Sequence, residues 1–124
     1  MSKIAGLNNL PIFCPIVSNF YSGMEVTVPI FASDINGGIE DIKSIYKSAY
    51  ASPIISYKDA NDEGGFLSAA KYSGLDSMGI GVFGNDDRIL LVARYDNLGK
   101  GASGAAVECL NVKLGCDKTK TLVV

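Results

Sequence analysis

The chain has 124 residues, enough for one domain that buries roughly two-thirds of the surface exposed by its unfolded form. Eleven Lys or Arg against thirteen Asp or Glu leave a formal charge of -2, which supplies no basic stripe for a phosphate backbone and excludes nucleic acid as an expected partner. No His is present, no apolar run reaches the roughly 18 residues of a membrane span, and no charged n-region opens the chain; the expectation is a cytoplasmic protein with no His base or ligand of its own.

The first element is LPIFCPIV, Leu10 to Val17, an almost uniformly apolar run that predicts a buried strand pushed toward an edge or bulge by Pro11 and Pro15. Asn19 to Gly23 reads as a turn. Met24 to Phe31 then alternates, with Met24, Val26, Val28 and Ile30 on one face, as a half-buried strand does. After Gly37-Gly38, the positions Ile39, Ile42, Ile45, Tyr46, Ala49 and Tyr50 recur at helical spacing and predict an amphipathic helix. Ser52 to Tyr57 predicts a short strand and Asp59 to Gly65 a polar loop, whereas residues 66–75 suit a short helix or an extended segment equally.

Two strands follow, Ser77 to Phe83 and Arg88 to Tyr95, joined by Gly84-Asn85-Asp86-Asp87 and therefore expected to pair antiparallel. The last element is a helix from Gly101 to Gly115 with a stripe of Ala102, Ala105, Ala106, Cys109, Leu110 and Leu114. Its first half is lined by small side chains, which let another backbone lie close, so this face is expected to sit flush on a neighbour. The order predicts an α+β fold with an antiparallel or mixed sheet and its helices on one face.

The three cysteines, Cys14, Cys109 and Cys116, are odd in number and form no C-x-x-C pair, which argues against a disulfide framework or a zinc site and leaves buried, reduced thiols as the expectation. Asp59, Asp62, Glu63, Asp86 and Asp87 read as solvated turn residues, so no metal is expected. One motif remains. In YDNLGKGASGAA, Gly99, Gly101 and Gly104 form G-x-G-x-x-G between a strand and a helix, but no further strand follows to carry an acid to a ribose. Such glycines equally serve a tight strand-to-helix turn. The Asn97 amide, the Lys100 cation and the N–H groups of the first helical turn are a set able to cradle a carboxamide and phosphates, as one wall of a cofactor site completed by another domain.

The segment GVFGNDDRILLVARYDNLGKGASGAAVECLNVKLG resembles the C-terminal portion of the N-acetyl-gamma-glutamyl-phosphate reductase family, and PIFCPIVSNFYSGMEVTVPI is similar to the opening of the C-terminal domain in the family's shorter sequence type. The two blocks frame nearly the whole chain, and the middle third is only loosely similar. The resemblance implies an NADPH-dependent reduction of an acyl phosphate to N-acetylglutamate semialdehyde in arginine synthesis. It implies a single C-terminal substrate-binding and dimerisation domain over residues 1–124, related to that of glyceraldehyde-3-phosphate dehydrogenase, whose final helix returns to a Rossmann domain absent from this sequence.

On that resemblance, Asn97, Leu98, Gly99, Lys100, Gly101 and Ala102 lie near NADP, and Asn19, Phe20, Ser22 and Gly23 near the substrate. Ser22 stands where the longer sequence type has Arg. The family's nucleophilic Cys and general-base His have no counterpart here, so no catalytic residue is assigned, and the chain is expected to be inactive and to bind NADP weakly or not at all when alone. The implied partners are a second copy, paired through the sheet, and a Rossmann-domain chain. A stand-alone phosphate- or nucleotide-sensing or oligomerisation module and an inert gene remnant are the alternatives.

Overall fold

The computed structural model describes residues 2–124 and is an α+β arrangement around one four-stranded mixed sheet. In chain order the elements are α1 (Ser2–Ala5), β1 (Met24–Phe31), α2 (Ile39–Ala49), β2 (Ile55–Tyr57), β3 (Met78–Gly84), β4 (Arg88–Tyr95) and α3 (Gly104–Lys113). The sheet order is β1-β4-β3-β2; β4 runs antiparallel to both neighbours, and β2 lies parallel to β3.

Register explains which side chains share a face. Val28 lies opposite Leu91, which lies opposite Val82, so the alternating apolar residues of three strands point the same way. On that face α2 lays its apolar stripe: Ile39, Val82 and Ile89 are buried, with Ile42, Tyr46 and Tyr57 packed around them. The start of α2 follows from local chemistry. Gly37 adopts a φ of 116° that a side chain would strain, and Asp41 Oδ2 accepts the Gly38 N–H at 2.7 Å. The β3–β4 hairpin is closed in the same way by Asn85, whose Oδ1 accepts the N–H groups of Asp87 and Arg88, both at 2.9 Å.

Contrary to expectation, the helices do not line one face together. The opposite face is covered by the irregular connection from β2 to β3, whose Tyr72 and Asn61 sit over Gly79 and Gly81 because neither glycine has a Cβ to block them. Within residues 66–75, left open between helix and extended segment, 69–74 form turns. Meanwhile α3 buries only Gly104, which lies against Asp76, and Asn111, whose Nδ2 donates to the carbonyls of Lys118 (3.2 Å) and Lys120 (2.8 Å) in the segment that follows the helix.

Two further expectations fail. Leu10 to Val17 forms no strand: it runs irregularly with Ile12 95 % exposed and Val17 95 % exposed, and its two prolines offer no N–H to a ladder. Cys14 and Cys109 are exposed, not buried. The outer edge of β1 is blunted. The Ala32 N–H donates to the Asp87 carbonyl in continuation of the β1–β4 ladder, so even-numbered residues of β1 face β4 and odd-numbered ones face the open edge, where Pro29 has no N–H to offer.

Candidate functional site

The site forms where β4 runs out. Asp96 follows its last residue, is 2 % exposed, and gathers donors from three separate segments. Its Oδ2 accepts the Ser22 hydroxyl at 2.8 Å and the Gly74 N–H at 2.5 Å; its Oδ1 accepts the N–H groups of Leu98 (2.7 Å) and Gly99 (3.1 Å). Burial pushes this carboxyl up, but the bonds from Gly74, Ser22, Gly99 and Leu98 outweigh it and hold the pKa at about 2 against an ordinary 3.8. Next to it, the Gly23 N–H donates to Asn97 Oδ1 at 2.8 Å. Gly23 has φ 128° and the Ala69–Ala70 backbone occupies the space of a Cβ, so only glycine fits there.

Candidates separated by more than seventy residues in the chain are therefore neighbours: Ser22 and Gly23 on one side, Asn97, Leu98 and Gly99 on the other. Ser22 is 5 % exposed, and its hydroxyl is also 2.6 Å from that of Ser73. Asn19 and Phe20 are exposed at the outer end of the same turn, Phe20 by 43 %. Since Asn97 spends its carbonyl oxygen on Gly23, the group it offers outward is its amino donor.

The glycine motif adopts a five-residue π turn, Gly99–Ser103, leading into α3. None of Gly99, Gly101 and Gly104 has a positive φ, so conformational freedom is not what the turn requires. Close packing is. A Cβ on Gly99 would stand 2.6 Å from the Leu75 carbonyl oxygen, and one on Gly104 would overlap the Asp76 carboxylate, which also receives the Val123 N–H at 3.0 Å. Lys100 is not a free cation either: its Nζ lies 2.6 Å from Glu108 Oε2, with the two side chains 11 % and 24 % exposed. With the Leu98 and Gly99 N–H groups already turned onto Asp96, this helix start carries a carboxylate of its own and suits a neutral polar ligand better than a second anion.

The face of α3 that the sequence marks as apolar points away from the rest of the chain. Ala102, Ala106 and Cys109 are exposed, as are Leu110 by 55 % and Leu114 by 66 %. It continues outward from the exposed backbone of Gly101 and Ala102.

One supporting cluster escaped the sequence reading. Arg94, fully buried on β4, donates to Glu63 Oε2 at 2.7 Å, to the Ser68 carbonyl at 3.2 Å, and to the Asn61 carbonyl and side chain, thereby pinning the 58–77 connection to the sheet. Glu63 also meets Lys71 at 2.6 Å; its hydrogen bonds from Arg94 and Lys71 lower its pKa to about 2. Nothing local announces Arg94, because its partners lie 26 to 33 residues away. Asp96 did leave a signal, an acid just before a helical turn that begins with Leu98 and Gly99, the position from which a carboxylate collects free N–H groups. Among the described residues no cluster of His, Cys, Asp or Glu is arranged to hold a metal, and no helix is long and apolar enough to cross a membrane.

Against this geometry, comparison with known proteins gives one consistent result. The chain is 38 % identical over 125 residues to N-acetyl-gamma-glutamyl-phosphate reductase 2 of a Nostoc strain, covering 93 % of this chain and 39 % of that protein. It is 38 % identical to the reductase of Trichormus variabilis over the same share, and 40 % identical over 116 residues to that of Brucella ovis, covering 88 % of this chain and 37 % of the relative. The chain is homologous to part of these reductases. It spans about two-fifths of the length of the curated relatives it matches. No family model matches it.

Proposed function

We propose that the chain is the C-terminal substrate-binding and dimerisation domain of an N-acetyl-gamma-glutamyl-phosphate reductase, with the domain architecture of glyceraldehyde-3-phosphate dehydrogenase, working in arginine biosynthesis in the cytoplasm. The observation that carries the reading is the junction at Asp96: the turn ending in Ser22 and Gly23 and the turn Asn97 to Ala102 meet at one end of the sheet, beside a helix face that this chain leaves uncovered. The similarity to named reductases over about nine-tenths of the chain supplies the chemistry.

In that reaction an acyl phosphate is reduced to N-acetylglutamate semialdehyde with release of phosphate, and NADPH supplies the hydride when bound. The residues present fit one end of such a cofactor. Asn97, held by Gly23, offers an amino donor suited to a carboxamide oxygen, and the backbone of Gly99 to Ala102 with Leu98 lines the approach. Lys100 serves the turn through Glu108, and the phosphates and ribose belong to a Rossmann domain docked on the α3 face. Asn19 and Phe20 are the substrate-side contacts, while Ser22 and Gly23 shape their turn from behind. A phosphate-sensing module is disfavoured by the same facts, since the helix start is occupied by Asp96 and its one cation by Glu108.

This chain has no His and no counterpart of the family's nucleophilic Cys, so the nucleophile and the proton-transfer group come from the rest of the enzyme. A homodimer through the sheet is part of the reading: Met24, Val26 and Val28 remain 40 %, 42 % and 47 % exposed, while Pro29 interrupts pairing along the β1 edge. The test is NADPH oxidation with N-acetylglutamyl phosphate. The chain alone is expected to give no turnover, and a chimaera in which it replaces its aligned portion of the Nostoc reductase to turn over. Activity of the 124-residue chain alone, or a folded chimaera that binds NADPH without turnover, contradicts the proposal.

A further inference from the structure

We propose that Ser22 and Asp96 are positioning residues that lock the 19–23 turn to the 97–102 turn, so that a ligand ordering either turn orders the other. Three observations carry this. Ser22 cannot act by contact, because it is 5 % exposed and its hydroxyl is taken by Asp96 at 2.8 Å and Ser73 at 2.6 Å. The Asp96 carboxylate joins both turns to the 58–77 connection, accepting from the Ser22 hydroxyl, the Gly74 N–H and the Leu98 and Gly99 N–H groups. Finally, a parallel strut crosses the same gap, from the Gly23 N–H to Asn97 Oδ1 at 2.8 Å, and it is this strut that aims the Asn97 amino group outward.

The physical argument is one of shared restraint. A carboxylate with four donors is fixed in position and torsion, and charge-assisted hydrogen bonds are the stronger kind. Removing the Ser22 hydroxyl frees Oδ2 on the side of the first turn, and the torsional freedom so gained is felt at Oδ1, where Leu98 and Gly99 are held. In its catalytic consequence the inference rests on the proposed reductase reading: neither residue touches substrate or cofactor, yet both set how the contacts of one turn stand relative to those of the other.

The test uses amide hydrogen exchange on the full chain. In Ser22→Ala, exchange at Leu98 and Gly99 is expected to accelerate about tenfold, with Phe83 and Val92, whose N–H groups lie in the β3–β4 ladder, unchanged; a merely structural loss would accelerate all four together. Asp96→Asn extends the effect to Gly74, and Ser22→Thr, which keeps the hydroxyl, restores protection at Leu98 and Gly99. In the chimaeric reductase, Ser22→Ala is expected to raise KM for both NADPH and the acyl phosphate severalfold, with kcat lowered less. Unchanged exchange at Leu98 and Gly99 in Ser22→Ala, or equal acceleration in the sheet, overturns the coupling. The exchange arm needs no catalysis, so an inactive parent chimaera would count against the reductase reading alone.

Discussion

Substituting the first and second glycines of the motif separates packing from conformational freedom. In Gly99→Ala the new Cβ would stand 2.6 Å from the Leu75 carbonyl oxygen and 3.1 Å from Asp76 Oδ1. The first neighbour is backbone and cannot rotate aside, so relief requires the turn and the 75–76 segment to part by most of an ångström. Overpacking of this kind costs about 1–3 kcal/mol, while alanine in a helical turn regains roughly 0.5–1 kcal/mol over glycine, for a net loss of about 1 kcal/mol. In Gly101→Ala the nearest atoms are a Tyr95 ring carbon at 3.1 Å and the Asp96 carbonyl oxygen at 3.2 Å, contacts that a few tenths of an ångström relieve. The same helical gain then leaves it neutral or stabilised by about 0.5 kcal/mol. Urea unfolding followed by circular dichroism, at one protein concentration, reads both values. Equal stability of Gly99→Ala and the parent, or a larger loss in Gly101→Ala, refutes the packing explanation of the motif.

Arg94 is buried while Glu63 stays 37 % exposed, so Arg94→Met chiefly strands the carbonyls of Asn61 and Ser68 and is expected to cost about 1–3 kcal/mol in the same assay, and Arg94→Lys to rescue little because one ammonium cannot serve Glu63 and both carbonyls together. Acid unfolding reports on Asp96 and Glu63. Both have folded pKa values depressed to about 2, so their contribution is complete above their ordinary values near 4 and is lost as pH falls toward 2; thermal midpoints should drop most steeply in that window, and less so in Asp96→Asn. Phe13→Ser with Ile16→Ser should leave stability within about 0.5 kcal/mol of the parent in the urea assay, since both side chains are exposed.

What the sequence displayed were features with a local cause. The alternation of Met24 to Phe31 and the helical period of Ile39 to Tyr50 follow from one face of each element meeting the core, and both elements are present with nearly those bounds. Leu10 to Val17 misled because apolar content signals burial only when something is there to cover it; every residue of that run is exposed in this chain. The stripe on α3 was legible as a face for a neighbour, but the residues that turn inward, the polar Asn111 and the small Gly104, were not. Likewise the turn at residues 97–102 was legible as a candidate, whereas its link to Ser22 through Asp96 is a contact across 74 residues that only the fold creates.

The most direct measurement is the alkylation rate of Cys109, the exposed thiol on the outward face of α3, with Cys14 and Cys116 replaced by serine. If a nucleotide-binding domain docks on that face, the thiol should react rapidly in this chain alone and at least tenfold more slowly in the complete chimaeric reductase. Equal rates in the two proteins would contradict the account.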